Sequence, residues 1–194
     1  MFRDRSKKGS LLRLSPWLIR MPVAVILAAV LALQFDRVDG FGPAVIYTAS
    51  WIILLHVFIG EYVFIRYLHA VSRNQQLLDL FAGLLLMCGI LSFDQSALWC
   101  AFLAGAFALA ITKYLLIEQH LTHSGLKRYT REKIWWESPA VCLFSVLAVL
   151  IDRAGAQKMM VQLVELVILI ASALFAFWMI GVRHIYRKVA RRPE

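Results

Sequence analysis

Four ionisable residues lie within a stretch of the chain that is otherwise apolar enough to cross a membrane. The stretch runs from residue 44 to residue 69 and contains His56, Glu61, Arg66 and His69. An ionisable side chain at membrane depth costs roughly 2.5–3.5 kcal/mol even on the insertion-based scale. A fold that keeps such residues must offset this cost with polar partners, so we expect the function to involve this segment.

A further acid, Glu165, lies in a later apolar stretch at a predicted depth close to that of His56. Because a helix rises 1.5 Å per residue, we expect Glu165 about 9 Å and His56 about 12 Å from the outer boundary of a core of roughly 30 Å. Titratable side chains in membrane spans carry protons or bind cations, and histidine titrates near neutral pH. The sequence therefore predicts a proton or cation path lined by His56, Glu61 and Glu165. His56 and Glu61 lie about 140° apart around a helix, so water or a helix irregularity must connect them.

Three other charged residues are predicted to share a level close to the inner boundary of the membrane. Arg66, Asp79 and Lys113 all lie within about 3–7 Å of it. We interpret them as structural ion pairs, in which Asp79 meets Lys113 or Arg66 and the basic side chains reach toward the headgroups. A buried histidine bonded to one carboxylate is likewise the structural alternative to a transport role for His56.

The remaining histidines form a second set at the predicted cytosolic ends of the spans. They are His69, His120, His123 and His184. Imidazoles bind zinc or iron, and two of them can hold a b-type haem between helix ends. The spacing of His120 and His123 places both rings on one helical face. A metal ion or a single haem is therefore an open alternative, although the sequence requires no cofactor.

The composition is that of an integral membrane protein. The chain is 61% hydrophobic with a mean hydropathy of +0.70, whereas soluble domains are about 45–50% apolar. The net charge is +9, but the basic residues lie between apolar stretches, which favours anionic headgroups as partners over nucleic acid. No nucleotide-binding motif, hydrolase triad or HExxH helix is present, so an enzyme is not favoured.

The apolar stretches predict an all-α, polytopic membrane bundle of six transmembrane helices. Basic tails over residues 1–16 and 183–194 flank a transmembrane domain over residues 17–182. The predicted spans are 17–35, 44–68, 77–93, 97–117, 134–151 and 159–182. The fifth span is the shortest, since a helix needs about 20 residues to cross the hydrocarbon core.

The segment from residue 118 to residue 138 is predicted to be a long, charged loop before the fifth span. Ser138 and Pro139 are typical of a helix N-cap and first helical residue. Aromatic and basic residues of this loop are predicted to lie at the lipid interface. They are Trp135, Trp136, Lys127, Arg128 and Arg131.

The distribution of basic residues predicts the orientation of the chain. Of the 21 lysines and arginines, only Arg37, Arg153 and Lys158 fall in predicted outer segments. Basic residues collect on the cytosolic side of membrane proteins. Both termini are therefore predicted to be cytosolic, in a multi-pass protein of the cell (inner) membrane.

Together these observations favour a small transporter- or channel-like protein that passes protons or cations. Two alternatives stay open: a non-catalytic subunit or assembly factor of a larger membrane complex, and a redox protein with a single b-type haem near the cytosolic face. Ala24, Ala28 and Ala32 form a ridge of small residues that permits close helix packing. We therefore also expect a homo-oligomer or an association with other membrane subunits.

Overall fold

The computed structural model of the protein is helical throughout its regular secondary structure. It describes the backbone of residues 16–67, 73–119, 124–154 and 158–189, and side chains within residues 22–58, 74–119, 127–153 and 162–178. No strand occurs in these ranges. The helices are α1 (Pro16–Leu33), α2 (Phe41–Tyr67), α3 (Arg73–Leu91), α4 (Ser96–Glu118), α5 (Ser124–Ala154) and α6 (Lys158–Val189).

Among the residues that the structure describes, four of the helices contain a segment long and apolar enough to cross a membrane. The segments are Phe41–Phe58, Asn74–Leu91, Ser96–Glu118 and Lys127–Arg153. Within the described residues, α1 and α6 contribute the shorter apolar segments Pro22–Leu33 and Gln162–Trp178. The prediction of an all-helical chain with apolar helices is thus confirmed, whereas the number of complete spans and the side of the termini stay predictions.

The outer surface of α6 illustrates why the bundle suits an apolar surrounding. Large apolar side chains are exposed at intervals of three or four residues, which places them on one face of the helix. They are Leu163, Leu166, Ile170, Leu174 and Phe177. Soluble monomers rarely expose an apolar patch of this extent, so the surface is typical of a protein surrounded by lipid.

Helix α4 packs between α3 and α5. The turn between α1 and α2 and the turn between α3 and α4 lie at the same end, because Arg37 donates to Asp94 across 2.9 Å. Gly40 has a φ of 85°, which favours glycine, at the start of α2. Trp99 of α4 donates to the hydroxyl of Ser50 on α2 at 3.0 Å and links these two helices.

Helix α5 is much longer than the predicted fifth span. It begins at Ser124, so most of the predicted loop over residues 118–138 is helical and that prediction was wrong. The physical reason is that its buried face carries polar side chains. Tyr129, Lys133 and Glu137 recur every fourth residue and are all buried, so the helical period exists without the apolar residues that normally reveal it.

The predicted N-cap of the fifth span lies inside α5. The Ser138 hydroxyl donates to the carbonyl of Ile134 at 2.7 Å, as a serine within a helix commonly does. Pro139 follows it in the helix interior. A proline there lacks the amide hydrogen that would bond four residues back, so α5 continues through a residue that more often begins a helix.

Candidate functional site

A buried cluster of polar side chains joins α2, α4 and α5. It consists of His56, Tyr114, Lys133 and Glu137, and we call it the histidine cluster. Lys133 Nζ lies 3.0 Å from His56 Nε2, and Glu137 Oε1 lies 3.2 Å from the same nitrogen. Lys133 Nζ also lies 3.3 Å from Glu137 Oε1 and donates to the Tyr114 hydroxyl at 2.9 Å. All four residues are buried, and Glu137 is only 1% exposed.

The helices hold Lys133 and His56 in place through aromatic contacts. Lys133 Nζ lies 5.0 Å from the ring centre of Tyr114 and 5.8 Å from that of Tyr129, within the range of cation–π attraction. The His56 ring packs at 4.4 Å from Phe175 and 5.9 Å from Trp178, both on α6. These contacts limit the rotamers of both side chains, so the distances within the cluster are fixed by packing.

The central feature of the cluster is that His56 Nε2 has two competing partners. One ring nitrogen cannot accept a hydrogen bond from an ammonium group and donate one to a carboxylate at the same time. In one arrangement Nε2 accepts from Lys133, and in the other it carries a hydrogen and donates to Glu137. The two arrangements differ in the position of a proton. The geometry therefore permits proton exchange among an amine, an imidazole and a carboxylate without a large movement of heavy atoms.

A second charged pair lies next to the histidine cluster. Lys113 of α4 donates to Asp79 of α3 at 2.6 Å, which is one of the two pairings that the sequence analysis considered for Asp79. Lys113 Nζ also lies 5.3 Å from the ring centre of Tyr114. With a neutral His56, these two lysines and the carboxylates of Asp79 and Glu137 sum to zero charge. The buried charges are therefore balanced locally.

The histidine cluster and the Lys113–Asp79 pair line one partly open cavity of about 100 Å³ between helices α1 to α5. Its polar wall is formed by six residues, and the rest of its wall is apolar. The polar residues are His56, Asp79, Lys113, Tyr114, Lys133 and Glu137. A buried water needs about 10–15 Å³ on this measure and two to four polar partners. The polar end of the cavity therefore has room for several waters.

Glu165 lies far from the histidine cluster. Its carboxylate lies against the first turn of α2, where a methyl group added at Gly42 would overlap it. Gly42 is 14 residues before His56, or about 21 Å along the helix axis. The prediction that Glu165 and His56 share a level was therefore wrong. On α6, the level of His56 corresponds to Phe175 and Trp178.

The error in depth has a simple physical origin. The depth expected for Glu165 assumes that the membrane boundary lies at the start of the sixth span. Helix α6 has 32 residues, or about 48 Å of length, which exceeds the hydrocarbon core of about 30 Å. The register of such a helix is set by its packing against α2 rather than by its sequence boundaries.

The other predicted site residues lie outside the described side chains. Glu61, Arg66 and His184 are on helices whose backbone is described there, whereas His69, His120 and His123 lie outside the described residues altogether. Among the side chains that the structure describes, no group of three or more histidines, cysteines or acids could hold a metal ion. The metal and haem alternatives therefore stay predictions.

The predicted interface residues lie around the first half of α5. Trp135 is 73% exposed and Trp136 is 41% exposed. Two basic residues of this segment form ion pairs, Arg128 with Glu132 at 2.9 Å and Arg131 with Glu118, and Lys127 is half-buried. Trp135 lies on the opposite side of α5 from Lys133 and Glu137, at the same level along its axis. Trp136 instead packs against Trp178 of α6, with the ring centres 5.3 Å apart.

Sequence reasoning missed Lys133, Glu137 and Tyr114 as members of the site. The available signal was the stripe of residues that α5 buries, which starts from apolar residues near its centre. Counting back from Phe144 at intervals of three and four leads through Ala140 to Glu137 and Lys133. Extending that stripe through the charged segment would have placed both residues inside the bundle.

Comparison with known proteins adds no assignment to this geometry. No family model, curated protein or solved structure matches the chain.

Proposed function

We propose that the chain is a six-span membrane protein with cytosolic termini, and that it transfers protons through the histidine cluster. The observation that carries this proposal is the position of His56 Nε2, within hydrogen-bonding distance of both Lys133 and Glu137. Buried titratable residues in membrane helices are characteristic of proton relays. The protein thus belongs functionally with small transporters or channels of the inner membrane.

The topology is supported by the residues found at each end of the bundle. Arg37 and Asp94 lie together at the end that the charge distribution assigns to the outside. Arg131 and Glu118 pair toward the opposite, strongly basic end. The exposed side chain of Trp135 marks an interfacial level. The histidine cluster is therefore in the cytosolic half of the membrane.

The cavity supplies the route by which a proton reaches the cluster. Asp79, near the cytosolic start of α3, lines the same cavity as Glu137, and waters between them provide hydrogen-bonded carriers. A proton that arrives on Glu137 passes to His56 Nε2, and Lys133 keeps its hydrogen bond to the Tyr114 hydroxyl. The reverse movement returns the proton, so the cluster takes up and releases protons from the cytosolic side.

The local charge balance favours protons over metal cations as the transported species. Asp79 and Glu137 each lie beside a lysine, and a metal ion would have to displace that ammonium group. A proton requires no such displacement, because it changes only which atoms donate. Of the two species that the sequence analysis left open, the proton fits this site better.

The outer half of the proposed path differs from the one inferred from the sequence. Glu165 is not part of it. On α2 itself, the nearest described hydroxyl toward the outer end is that of Ser50, about 9 Å from His56 along the helix, where it accepts from Trp99. Glu61, on the cytosolic side of His56, stays a candidate for the path. Transfer to the outer face therefore requires the apolar core around Ser50 to open.

Proton flux into liposomes tests the proposal. The purified protein is reconstituted with a trapped pH-sensitive dye, and a potassium gradient with valinomycin drives proton entry. We expect His56→Ala and Glu137→Gln each to reduce flux by about 100-fold, the effect of losing a positioned proton-transfer group. Glu61→Gln tests the cytosolic extension of the path in the same assay.

Two matched variants control for charge removal away from the cluster. Glu165→Gln and Asp94→Asn each convert an acid to its amide at the outer end of the bundle, and we expect both to retain wild-type flux. The proposal fails if folded His56→Ala and Glu137→Gln proteins conduct like the wild type. It also fails if wild-type flux equals that of empty liposomes, which would favour the alternative of a non-catalytic subunit.

A further inference from the structure

We infer that Ile53 and Leu86 form an apolar gate on the outer side of the histidine cluster, and that this gate limits proton transfer to the outer face of the membrane. The gate rests on the proposed function, because it acts on a path that passes through the cluster. Two neighbouring cavities share these two side chains as part of their walls, and the residues around the smaller cavity cannot hold water in place.

A second, smaller cavity adjoins the one that the histidine cluster lines. Its volume is about 10 Å³, and Ile53 and Leu86 line both cavities. These two side chains are buried, with 5% and 8% of their residue surfaces exposed. They therefore lie where the two cavities meet. The other residues around the smaller cavity are Ser50, Leu54, Ile90, Trp99 and Leu103.

Helix α2 gives the order of the two cavities along the bundle. His56 lines the larger cavity, Ser50 lines the smaller one, and Ile53 lies midway between them in the sequence. Each step of three residues corresponds to about 4.5 Å along the helix axis. A proton that leaves His56 toward the outer face therefore meets Ile53 before it reaches the level of the Ser50 hydroxyl.

Helices α3 and α4 show the same order. On α3, Asp79 lines the larger cavity, Ile90 lines the smaller one, and Leu86 between them lines both. On α4, Phe107 lines the larger cavity and Trp99 lines the smaller one. Trp99 lies close to the start of α4, at the end that the proposed topology assigns to the outside. The smaller cavity therefore lies between the gate and the outer end of the bundle.

The smaller cavity barely reaches the volume of one water and lacks the polar partners that would hold it. A buried water needs about 10–15 Å³ and two to four polar partners. The Ser50 hydroxyl already accepts from Trp99 at 3.0 Å and donates to the Ile46 carbonyl at 2.8 Å, which leaves one acceptor position. Among the described residues that line the cavity, the others are aliphatic. A chain of waters is therefore interrupted beyond the gate.

An apolar constriction of this kind controls a path by excluding water. Transient entry of a single water is enough for a proton, because a proton crosses by rearrangement of hydrogen bonds. A hydrated metal cation does not fit a cavity of about 10 Å³. The gate therefore determines how often a proton crosses to the outer face, and it favours protons over metal cations.

Truncation of one gate residue tests the inference through proton flux into liposomes. We expect Leu86→Ala to raise the flux by about tenfold, because the space left by the side chain admits water beside the smaller cavity. Leu86→Met keeps the volume of the apolar side chain and should retain wild-type flux. Leu84→Ala should also retain it, since Leu84 is 52% exposed and lines neither cavity. Ile53→Ala replaces Leu86→Ala if that variant has lost its helical circular dichroism signal.

A double variant shows whether the added flux follows the proposed path. The His56→Ala, Leu86→Ala protein should conduct as poorly as His56→Ala alone, because an open gate still requires the relay. A leak through a loosened bundle would not depend on His56. Flux in the double variant that equals the flux of Leu86→Ala would therefore overturn the inference.

Hydrogen exchange at Trp99 tests the gate without any measurement of proton flux. The indole N–H of Trp99 is hydrogen-bonded to Ser50 at the smaller cavity, so its exchange with deuterated water requires water to enter. Heteronuclear NMR of tryptophan-labelled protein in micelles follows this exchange, with the resonance assigned by its loss in Trp99→Phe. We expect exchange to be about tenfold faster in Leu86→Ala and unchanged in Leu86→Met and Leu84→Ala.

Failure of the gate is distinguishable from failure of the proposed function. If His56→Ala abolishes flux but folded Leu86→Ala and Ile53→Ala proteins conduct like the wild type, the gate is refuted and the relay stands. If indole exchange is also unchanged in these variants, the two residues do not exclude water. If exchange accelerates in Leu86→Ala while His56→Ala conducts like the wild type, the two residues exclude water as inferred and the relay is refuted.

Discussion

Two ion pairs with similar geometry lie in contrasting surroundings. Lys113 and Asp79 approach to 2.6 Å with side chains that are 5% and 14% exposed. Arg37 and Asp94 approach to 2.9 Å with side chains that are 49% and 47% exposed. An exposed pair contributes little because water and salt screen it, whereas a buried pair is costly to break because one charge is then left in an apolar interior. Burial, rather than the distance between the charged atoms, therefore determines how much stability is lost when one member of each pair is removed.

The largest effect is expected from removing one member of a buried pair. Lys133→Met leaves the carboxylate of Glu137 with His56 as its remaining described partner. We expect a loss of about 3–5 kcal/mol of unfolding free energy. Equilibrium unfolding in mixed detergent micelles measures this value. A loss below about 1 kcal/mol would show that the buried pair behaves like the exposed one.

Neutralising both Lys133 and Glu137 should lower the unfolding free energy less than neutralising Lys133 alone. In the Lys133→Met, Glu137→Gln double variant no charge is left unpaired within the pair, so we expect it to be more stable than Lys133→Met alone. Residues in direct contact typically couple by about 0.5–3 kcal/mol. A double-mutant cycle in the same micelles measures the coupling. If the stability losses of the two single variants simply add in the double variant, the expected coupling is absent.

A smaller effect is expected where a neutral hydrogen bond joins two helices. Trp99→Phe keeps the aromatic packing of α4 but removes the donor to Ser50. We expect a loss of about 1–2 kcal/mol, since a buried hydroxyl then lacks one partner. The double variant with Ser50→Ala should recover part of this loss. No recovery would mean that ring packing, rather than the hydrogen bond, accounts for it.

The smallest effect is expected from the exposed pair itself. Asp94→Asn removes the partner of Arg37, and we expect a change of about 0–1 kcal/mol that becomes smaller as salt is added. The salt dependence is the sharper readout, because screening acts on exposed charges and hardly on buried ones. A loss comparable to that of Lys133→Met would remove the distinction between the two regions.

The apolar helices are apparent from the hydropathy of the sequence, but one long amphipathic segment is not. Runs of apolar residues predicted α1 to α4 because their hydropathy alone marks them. The first half of α5 shows no apolar residues at the helical period, because the face that it buries contains Thr130, Lys133 and Glu137. Such a helix is recognised only when the stripe that its apolar half buries is extended through the charged segment.

The candidate site was anticipated only through one of its members. His56 attracted attention because an imidazole in an apolar stretch needs a partner, but the sequence does not say which acid or base supplies it. Glu165 was chosen for its apolar surroundings, and the packing of α6 on α2 places it near Gly42 instead. Pairing across helices depends on register, which hydropathy does not encode.

The distribution of charged partners has a consequence for how the chain is made. Asp79 and Lys113 belong to consecutive helices, and Lys133 and Glu137 belong to a single helix one turn apart. As the ribosome delivers the chain, α3 and α4 can therefore enter the bilayer as a neutral hairpin, and α5 follows with its own counter-ion. Each of these charges has its partner on the same helix or on the helix before or after it. The free-energy cost of inserting the charges into the bilayer is therefore reduced as each unit is synthesised.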